Sequence, residues 1–311
     1  MSVMEAQNRQ AALSFAVYPP KTDVGMEELC GSGGVLDRLY TLKPAYIACT
    51  YGAGGADAGK NLRILDKIAA DGKTPPMTHF TCVGNTAESA KNQLQNYLDH
   101  GIRRVLALRG DLSFSRTGAT GGLRRAAELV SLIRREFGGQ FTIAVSGNPE
   151  GHGDCGSLES DIAFLRQKQD SGADCILTRP CWDMDRFRYW LEAIRAAGIH
   201  LPVEVEVMPV VDQAETVSMA LSRNGCFMPR ALSELLSKNW IYPNPFVKDP
   251  FDANVEQKKA DFRKAGIVYT IDQIQQYQAC GVAGIHLYTQ NRFADAACIA
   301  AEAGLLESRN F

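Results

Sequence analysis

Residues Met77–Arg109, MTHFTCVGNTAESAKNQLQNYLDHGIRRVLALR, read as one strand–helix–strand unit. Met77–Cys82 and Arg104–Arg109 are short runs dense in apolar and β-branched residues, while Ala87–His100 between them keeps its charges on one face with a helical period. Gly101 follows the helical pattern as a stop signal, because glycine takes the left-handed backbone that ends a helix. Both runs are apolar at nearly every position, which is what a strand covered on both faces requires.

The unit repeats along the chain. Further strand-like runs stand at Ala12–Val17, Ala45–Thr50, Phe141–Ser146, Asp174–Thr178, Val203–Met208 and Gly284–Tyr288. Helical patterns alternate with them at Asn61–Ala70, Gly122–Phe137, Leu158–Ser171, Asp185–Ala197 and Arg292–Ala303, and Gly172 and Gly198 serve as further stops. Eight such units in 311 residues predict an α/β fold of the (β/α)8 TIM-barrel type. The alternative is a doubly wound open sheet. That fold usually has a Gly-rich turn after its first strand, whereas here the first strand runs into Tyr18-Pro19-Pro20. The long stretch between the seventh and eighth strands, approximately 212–280, is expected to hold a helical insertion of two or three helices. No linker or composition shift divides the chain, so residues 1–311 are expected to form one domain.

Composition narrows the function classes. Lys+Arg 33 nearly cancels Asp+Glu 35, leaving a net charge of −2 that does not favour a polyanion, so no nucleic-acid partner is expected. The nine cysteines form no CxxC pair, which suits a reducing cytoplasm. No stretch approaches the roughly 20 apolar residues of a membrane helix, so no membrane partner is expected either.

Barrel enzymes build their sites at the C-terminal ends of the strands. The polar residues there are Thr50 and Tyr51, His79 and Thr81, Arg109 and Asp111, Ser146 with Asn148 and His152, Thr178 and Arg179, Glu206, and His286 with Tyr288, Asn291 and Arg292. Arg109-Gly110-Asp111 puts a fixed cation and a carboxylate two residues apart, suited to a phosphate or ring carbonyl beside a heterocycle N–H; a local Arg–Asp ion pair is the other reading. The five histidines show no metal-binding spacing and the chain has no GxSxG elbow, so neither a metal site nor a serine hydrolase is expected.

Together, Ser14-Phe15 with Tyr18-Pro19-Pro20, TYGA at Thr50–Ala53, THFTC at Thr78–Cys82, LALRGD at Leu106–Asp111, NPEGH at Asn148–His152, MPV at Met208–Val210 and LYTQNR at Leu287–Arg292 resemble the short bacterial methylenetetrahydrofolate reductases, which are flavin-dependent (β/α)8 barrels. The resemblance covers about nine-tenths of the chain. It implies reduction of 5,10-methylenetetrahydrofolate to 5-methyltetrahydrofolate, with FAD passing a hydride from NADH or NADPH, and a cytoplasmic homo-oligomer. By position it implies flavin contacts at Thr50, Tyr51, Ala53, His79, Arg109, Gly110, Asp111, His152, Asp161 and Lys168, with Asn148 standing where the family has a flavin-contacting tyrosine. Asp111 also matches the carboxylate that meets the pterin, and Arg292 a folate contact.

The departures concentrate on the substrate side. Ala16 stands where the family carries the glutamate that helps open the imidazolidine ring, and alanine carries no proton. Arg179 replaces a glutamine that contacts folate and nicotinamide, Glu215 a substrate-contacting glutamine, and Met219 a stacking aromatic. Glu215 is the first candidate to supply the missing acid, with Tyr18 behind it. Three functions stay open: a divergent reductase, an oxidase of 5-methyltetrahydrofolate or a related methyl-pterin, and a folate- or flavin-binding partner subunit without catalysis.

Overall fold

The computed structural model describes residues 10–50, 58–110, 122–222, 225–241 and 254–306. Its strands are β1 (Ala12–Val17), β2 (Ile47–Cys49), β3 (Pro76–Thr81), β4 (Arg104–Leu108), β5 (Thr142–Gly147), β6 (Cys175–Thr178), β7 (Val203–Val207) and β8 (Gly284–Tyr288). They pair in parallel, in sequence order, and β8 closes on β1 through Ser14 opposite His286 and Ala16 opposite Tyr288. The fold is the (β/α)8 barrel that the repeating unit predicts; every strand lies within one or two residues of its expected position.

Helices α1 (Asp23–Cys30) and α2 (Val35–Tyr40) follow β1, and α3 (Ala58–Asp71), α4 (Ala87–Asp99), α5 (Ala126–Phe137), α6 (Leu158–Asp170) and α7 (Met184–Ala196) follow β2 to β6. Between β7 and β8 lie α8 (Gln213–Leu221), α9 (Arg230–Lys238) and the long α10 (Val255–Ala279), and α11 (Phe293–Glu302) ends the described chain. Local chemistry starts several of these helices. Thr86 and Ser89 form a reciprocal capping box at α4, and Ser157 and Asp183 cap α6 and α7 by accepting first-turn backbone N–H groups. Gly101, Gly172 and Gly198, the three expected stops, take φ of 75°, 103° and 77°. The pattern expected to be helical from Gly122 starts only at Ala126, because Gly122 bridges to Thr86 and Leu123 donates to the Asn85 carbonyl instead.

Outward-facing strand residues such as Phe15, Val17, Ile47, Val105, Ile143, Val205 and Ile285 meet the helices in one continuous sheath. Each fully buried side chain of this kind contributes about 1.5–3 kcal/mol. A smaller apolar plug, Tyr46, Ala48, Met77, Leu106, Ala144 and Leu177, fills the inside. The inner face is not apolar throughout as the strand runs suggest. In β7 the valines at 203, 205 and 207 join the outer sheath, whereas Glu204 and Glu206 alternate with them and bond the inward-lying Tyr46 and Tyr288. Ser14, His79 and His286 are buried polar residues of the same strands. Among the described residues no helix is long and apolar enough to cross a membrane.

Candidate active site

The strand ends that the sequence singles out converge on the C-terminal mouth in two groups. Tyr51, Ala53 and Asp111 lie outside the described residues.

One group spans β3 to β5 and α6. Arg109 directs Nη2 at Asp154 Oδ2, 2.5 Å away, so its ion-pair partner is a carboxylate from the loop after β5. His152 accepts from the Asp154 backbone N–H through Nδ1, 3.1 Å. Its pKa is lowered by burial and then by the neighbouring Arg109 cation, so the ring is neutral. Asp161, buried in the first turn of α6, accepts from Asn148 Nδ2 at 3.2 Å. Lys168, two turns along that helix, donates Nζ to the Ser146 carbonyl at 2.8 Å, and burial lowers its pKa. Thr50 is held from behind by Asn61, whose Nδ2 reaches the Cys49 and Thr50 carbonyls. Gly110 has φ of 87°, and a Cβ there would lie 3.0 Å from Thr81 Cβ, so a side chain would crowd β3.

Deeper in the barrel, the buried His79 has no hydrogen-bond partner for Nε2 among the described residues. Burial, helped by Arg179, lowers its pKa to about 4, so it is a neutral imidazole. A buried polar atom without a partner is uncommon in native structures, and beside Arg179 it marks a place for a ligand.

The second group spans β6, β7, β8 and β1. Asn291 clamps the two strand ends together: its Oδ1 accepts from the Tyr18 backbone N–H at 3.0 Å and its Nδ2 donates to the Tyr18 carbonyl at 2.9 Å. Thr289 adds Oγ1 to the Ala16 carbonyl at 2.8 Å. The turn that allows this puts Gln290 and Asn291 in the left-handed region, φ 49° and 57°. Arg292, at the start of α11, faces Glu215 at 3.4 Å and Asp212 at 3.9 Å, both from the α8 end. The Glu215 pKa is raised by burial, against the pull of Arg292.

Between these lies Glu206, which accepts the Tyr288 hydroxyl at 2.5 Å on Oε2. Burial raises its carboxyl pKa to about 7, opposed by Arg179 and by the tyrosine hydrogen bond. The phenol of Tyr18 is raised by burial, by Glu206 and by Glu215, which places all three at one end of the barrel. The strand-end reading includes Glu206 and Tyr288, but the family resemblance gives neither a role. Asp154 is missed altogether, because nothing in the loop sequence marks it as the partner of Arg109. The signal for Glu206 is the alternation VEVEV, where a period of two sets both glutamates on the face opposite the sheath.

A family profile described as methylenetetrahydrofolate reductase matches residues 3–304. Among similar proteins, "Methylenetetrahydrofolate reductase (NADH) 1" of Arabidopsis thaliana is 32% identical over 310 residues, covering 96% of this chain and 49% of that one. The "5,10-methylenetetrahydrofolate reductase" of Escherichia coli is 27% identical over 291 residues, covering 94% and 90%. The chain thus spans about half the length of the plant relative and most of the bacterial one. A solved structure, an uncharacterized protein from Clostridium thermocellum described as binding two copies of 5-methyl-5,6,7,8-tetrahydrofolic acid, superposes with a TM-score of 0.57 over 96% of both chains at 12% identity, a likeness of fold.

Proposed function

The chain belongs to the methylenetetrahydrofolate reductase family, and on that premise we propose that it is a flavin-dependent oxidoreductase that reduces 5,10-methylenetetrahydrofolate to 5-methyltetrahydrofolate with NADH or NADPH as electron donor. The observation that carries the reading is the division of the mouth: a cationic, hydrogen-bonding group with an imidazole nitrogen that has no partner among the described residues on one side, and an acid–phenol group on the other.

FAD fits the first group. Arg109 and Lys168 supply cationic donors for phosphate or ring oxygens, and Thr50, Asn148, His152 and Asp161 supply neutral and anionic partners for hydroxyl and N–H groups. His79 Nε2, without a hydrogen-bond partner among the described residues, offers one further hydrogen bond. Tyr51, Ala53 and Asp111 belong to this proposed set by the sequence resemblance. When bound, the flavin supplies two-electron transfer between a nicotinamide and the one-carbon unit.

The chain's own residues orient and protonate. Arg292, held between Glu215 and Asp212, offers its guanidinium to an anionic tail such as a folate glutamate, and Arg179 belongs to the substrate side by the sequence resemblance. Glu215 then serves the substrate by fixing Arg292. The Asn291 clamp keeps β1 and β8 in register so that Tyr18 and Tyr288 line one side of the mouth.

The test is anaerobic. Purified protein is expected to be yellow, to bleach with NADH or NADPH, and to regain its colour with 5,10-methylenetetrahydrofolate. Colourless protein that takes up no added FAD overturns the flavin reading; flavin that bleaches but is not reoxidised by the folate overturns the substrate.

A further inference from the structure

Opening a methylene bridge held between two nitrogens is an acid-dependent step. One nitrogen must take a proton so that its C–N bond breaks, the electron pair staying with that nitrogen and the carbon remaining as an iminium on the other. At the position where the resemblance expects the acid, Ala16 is fully buried against Met208 and Tyr288. The proton therefore has to arrive from another side chain of the same mouth.

We propose that Glu206 is the proton source for this step and delivers through the Tyr288 hydroxyl, a relay placed on β7 and β8 instead of on β1. The inference rests on the reductase reading above.

Four groups on the second side of the mouth carry a transferable proton: Glu206, Glu215, Tyr18 and Tyr288. Geometry separates them. Glu215 is half-buried and already engaged with Arg292 at 3.4 Å, a cation that opposes the rise burial gives its pKa. Glu206 is 4% exposed and forms no ion pair among the described residues; its hydrogen-bond partner is the Tyr288 hydroxyl, at 2.5 Å. Tyr288 is the register partner of Ala16, so its ring stands directly beside the position that lacks an acid. A proton passed along Glu206–Tyr288 emerges next to the place where a glutamate at 16 would have offered one.

The step balances without a further reactant. With substrate bound, the Tyr288 hydroxyl turns its proton from Glu206 Oε2 to the substrate nitrogen, and the neutral carboxyl gives its own proton to the tyrosine oxygen as the tyrosine proton leaves. The substrate gains one positive charge, and Glu206 becomes the carboxylate that faces it. Tyr288 is the group that meets substrate; Glu206 acts behind it and positions the hydroxyl.

The charged and titratable groups around Glu206 are Arg179 from the end of β6, Tyr288 of β8, Tyr18 beyond β1, and Cys226 ahead of α9; Glu215 of α8 faces Tyr18. Arg179 favours the carboxylate, while burial favours the acid and dominates, leaving the pKa at about 7. That value keeps a substantial protonated fraction at neutral pH, where a general acid works best.

The experiment measures reoxidation of reduced enzyme by 5,10-methylenetetrahydrofolate in rapid mixing from pH 6 to 9, for the wild type, Glu206→Gln, Glu206→Asp and Tyr288→Phe. The wild-type rate is expected to fall about tenfold per pH unit above roughly 7. Glu206→Gln and Tyr288→Phe are each expected to lose about 10²–10⁴-fold and to lose the inflection, which is the range general acid catalysis supplies. Glu206→Asp is expected to recover part of the rate with a shifted inflection. Bound flavin, read from absorbance, reports whether each variant is folded; Tyr288→Phe keeps the ring and tests the relay if Glu206→Gln does not fold. Variants that bind flavin, keep a rate within threefold of wild type and retain the inflection overturn the relay. Wild-type enzyme whose flavin is never reoxidised by the folate overturns the reductase reading instead.

Discussion

Ala16 of β1 and Tyr288 of β8 are register partners at the mouth, and with Met208 they close a small apolar patch in which Ala16 is fully buried. A glutamate at this position has to displace the side chains packed on Ala16. Overpacking costs about 1–3 kcal/mol, and a second carboxyl near the Tyr288–Glu206 pair adds desolvation. Ala16→Glu is therefore expected to lower the melting temperature by about 2–12 °C, at roughly 2–4 °C per kcal/mol as in a domain of 150–250 residues. A melting curve that overlays the wild type would mean that the mouth has room for the acid.

Glu206 also leaves a signature in stability. Its pKa rises from 4.5 in the unfolded chain to about 7 in the folded one. The folded state therefore binds more protons between those values, and stability falls as pH rises through them. The stabilisation is complete below about 4.5 and gone above about 7, amounting to about 3–4 kcal/mol at roughly 1.4 kcal/mol per unit. Glu206→Gln removes the term. Denaturant midpoints should show the variant gaining on wild type as the buffer goes from pH 5 to pH 8, and a difference that stays constant across that range refutes the raised carboxyl.

The two barrel histidines act with the opposite sign. Burial lowers His79 to about 4 and His286 to about 3, the latter packed flat against Tyr46 with ring centroids 5.3 Å apart and its Nδ1 2.8 Å from Ser14 Oγ. In the unfolded chain both titrate near 6.5. Below that value the unfolded chain takes up protons that the folded one refuses, so their contribution is present above 6.5 and is lost as pH falls toward 4 and 3. Two histidines outweigh one glutamate, and wild-type stability is expected to drop by more than about 2 kcal/mol between pH 6.5 and pH 4.5. His79→Gln leaves one histidine set against the opposing Glu206 and should abolish most of that drop in urea titrations; an unchanged drop would place the acid sensitivity elsewhere.

Much of this was legible before any coordinates. The strands of the barrel follow from β-branched runs bounded by glycine stops, because both signals are local. Arg109 and His152 sit at or just past a strand end, so position alone brings them to one mouth, whereas Lys168, on the next helix, is implied only by the resemblance. What sequence does not show is pairing across the mouth. Arg109 meets Asp154 across 45 residues of chain. Glu206 meets Tyr288 across 82 residues, joined only because β7 and β8 are neighbours when the barrel closes. Glu206 was in plain view on the polar phase of an alternating strand, but a carboxyl inside a barrel acquires its raised pKa from burial, which no single segment encodes.

The Arg109–Asp154 pair gives the last prediction. The two groups touch at 2.5 Å with side chains 30% and 28% exposed, so the cation is reachable but already engaged. A flavin phosphate or ring oxygen that binds Arg109 competes with Asp154 for the same guanidinium. A hydrogen bond to a charged group is worth about 1.5–3 kcal/mol, so Arg109→Ala is expected to weaken FAD binding by about 10–150-fold. Asp154→Asn keeps the size of the side chain and releases the cation, and is expected to tighten FAD binding by about two- to fivefold. Fluorescence quenching of FAD titrated with flavin-free protein measures both. If Asp154→Asn weakens binding as much as Arg109→Ala does, Asp154 is instead the strut that holds the guanidinium toward the flavin, and the competition is absent.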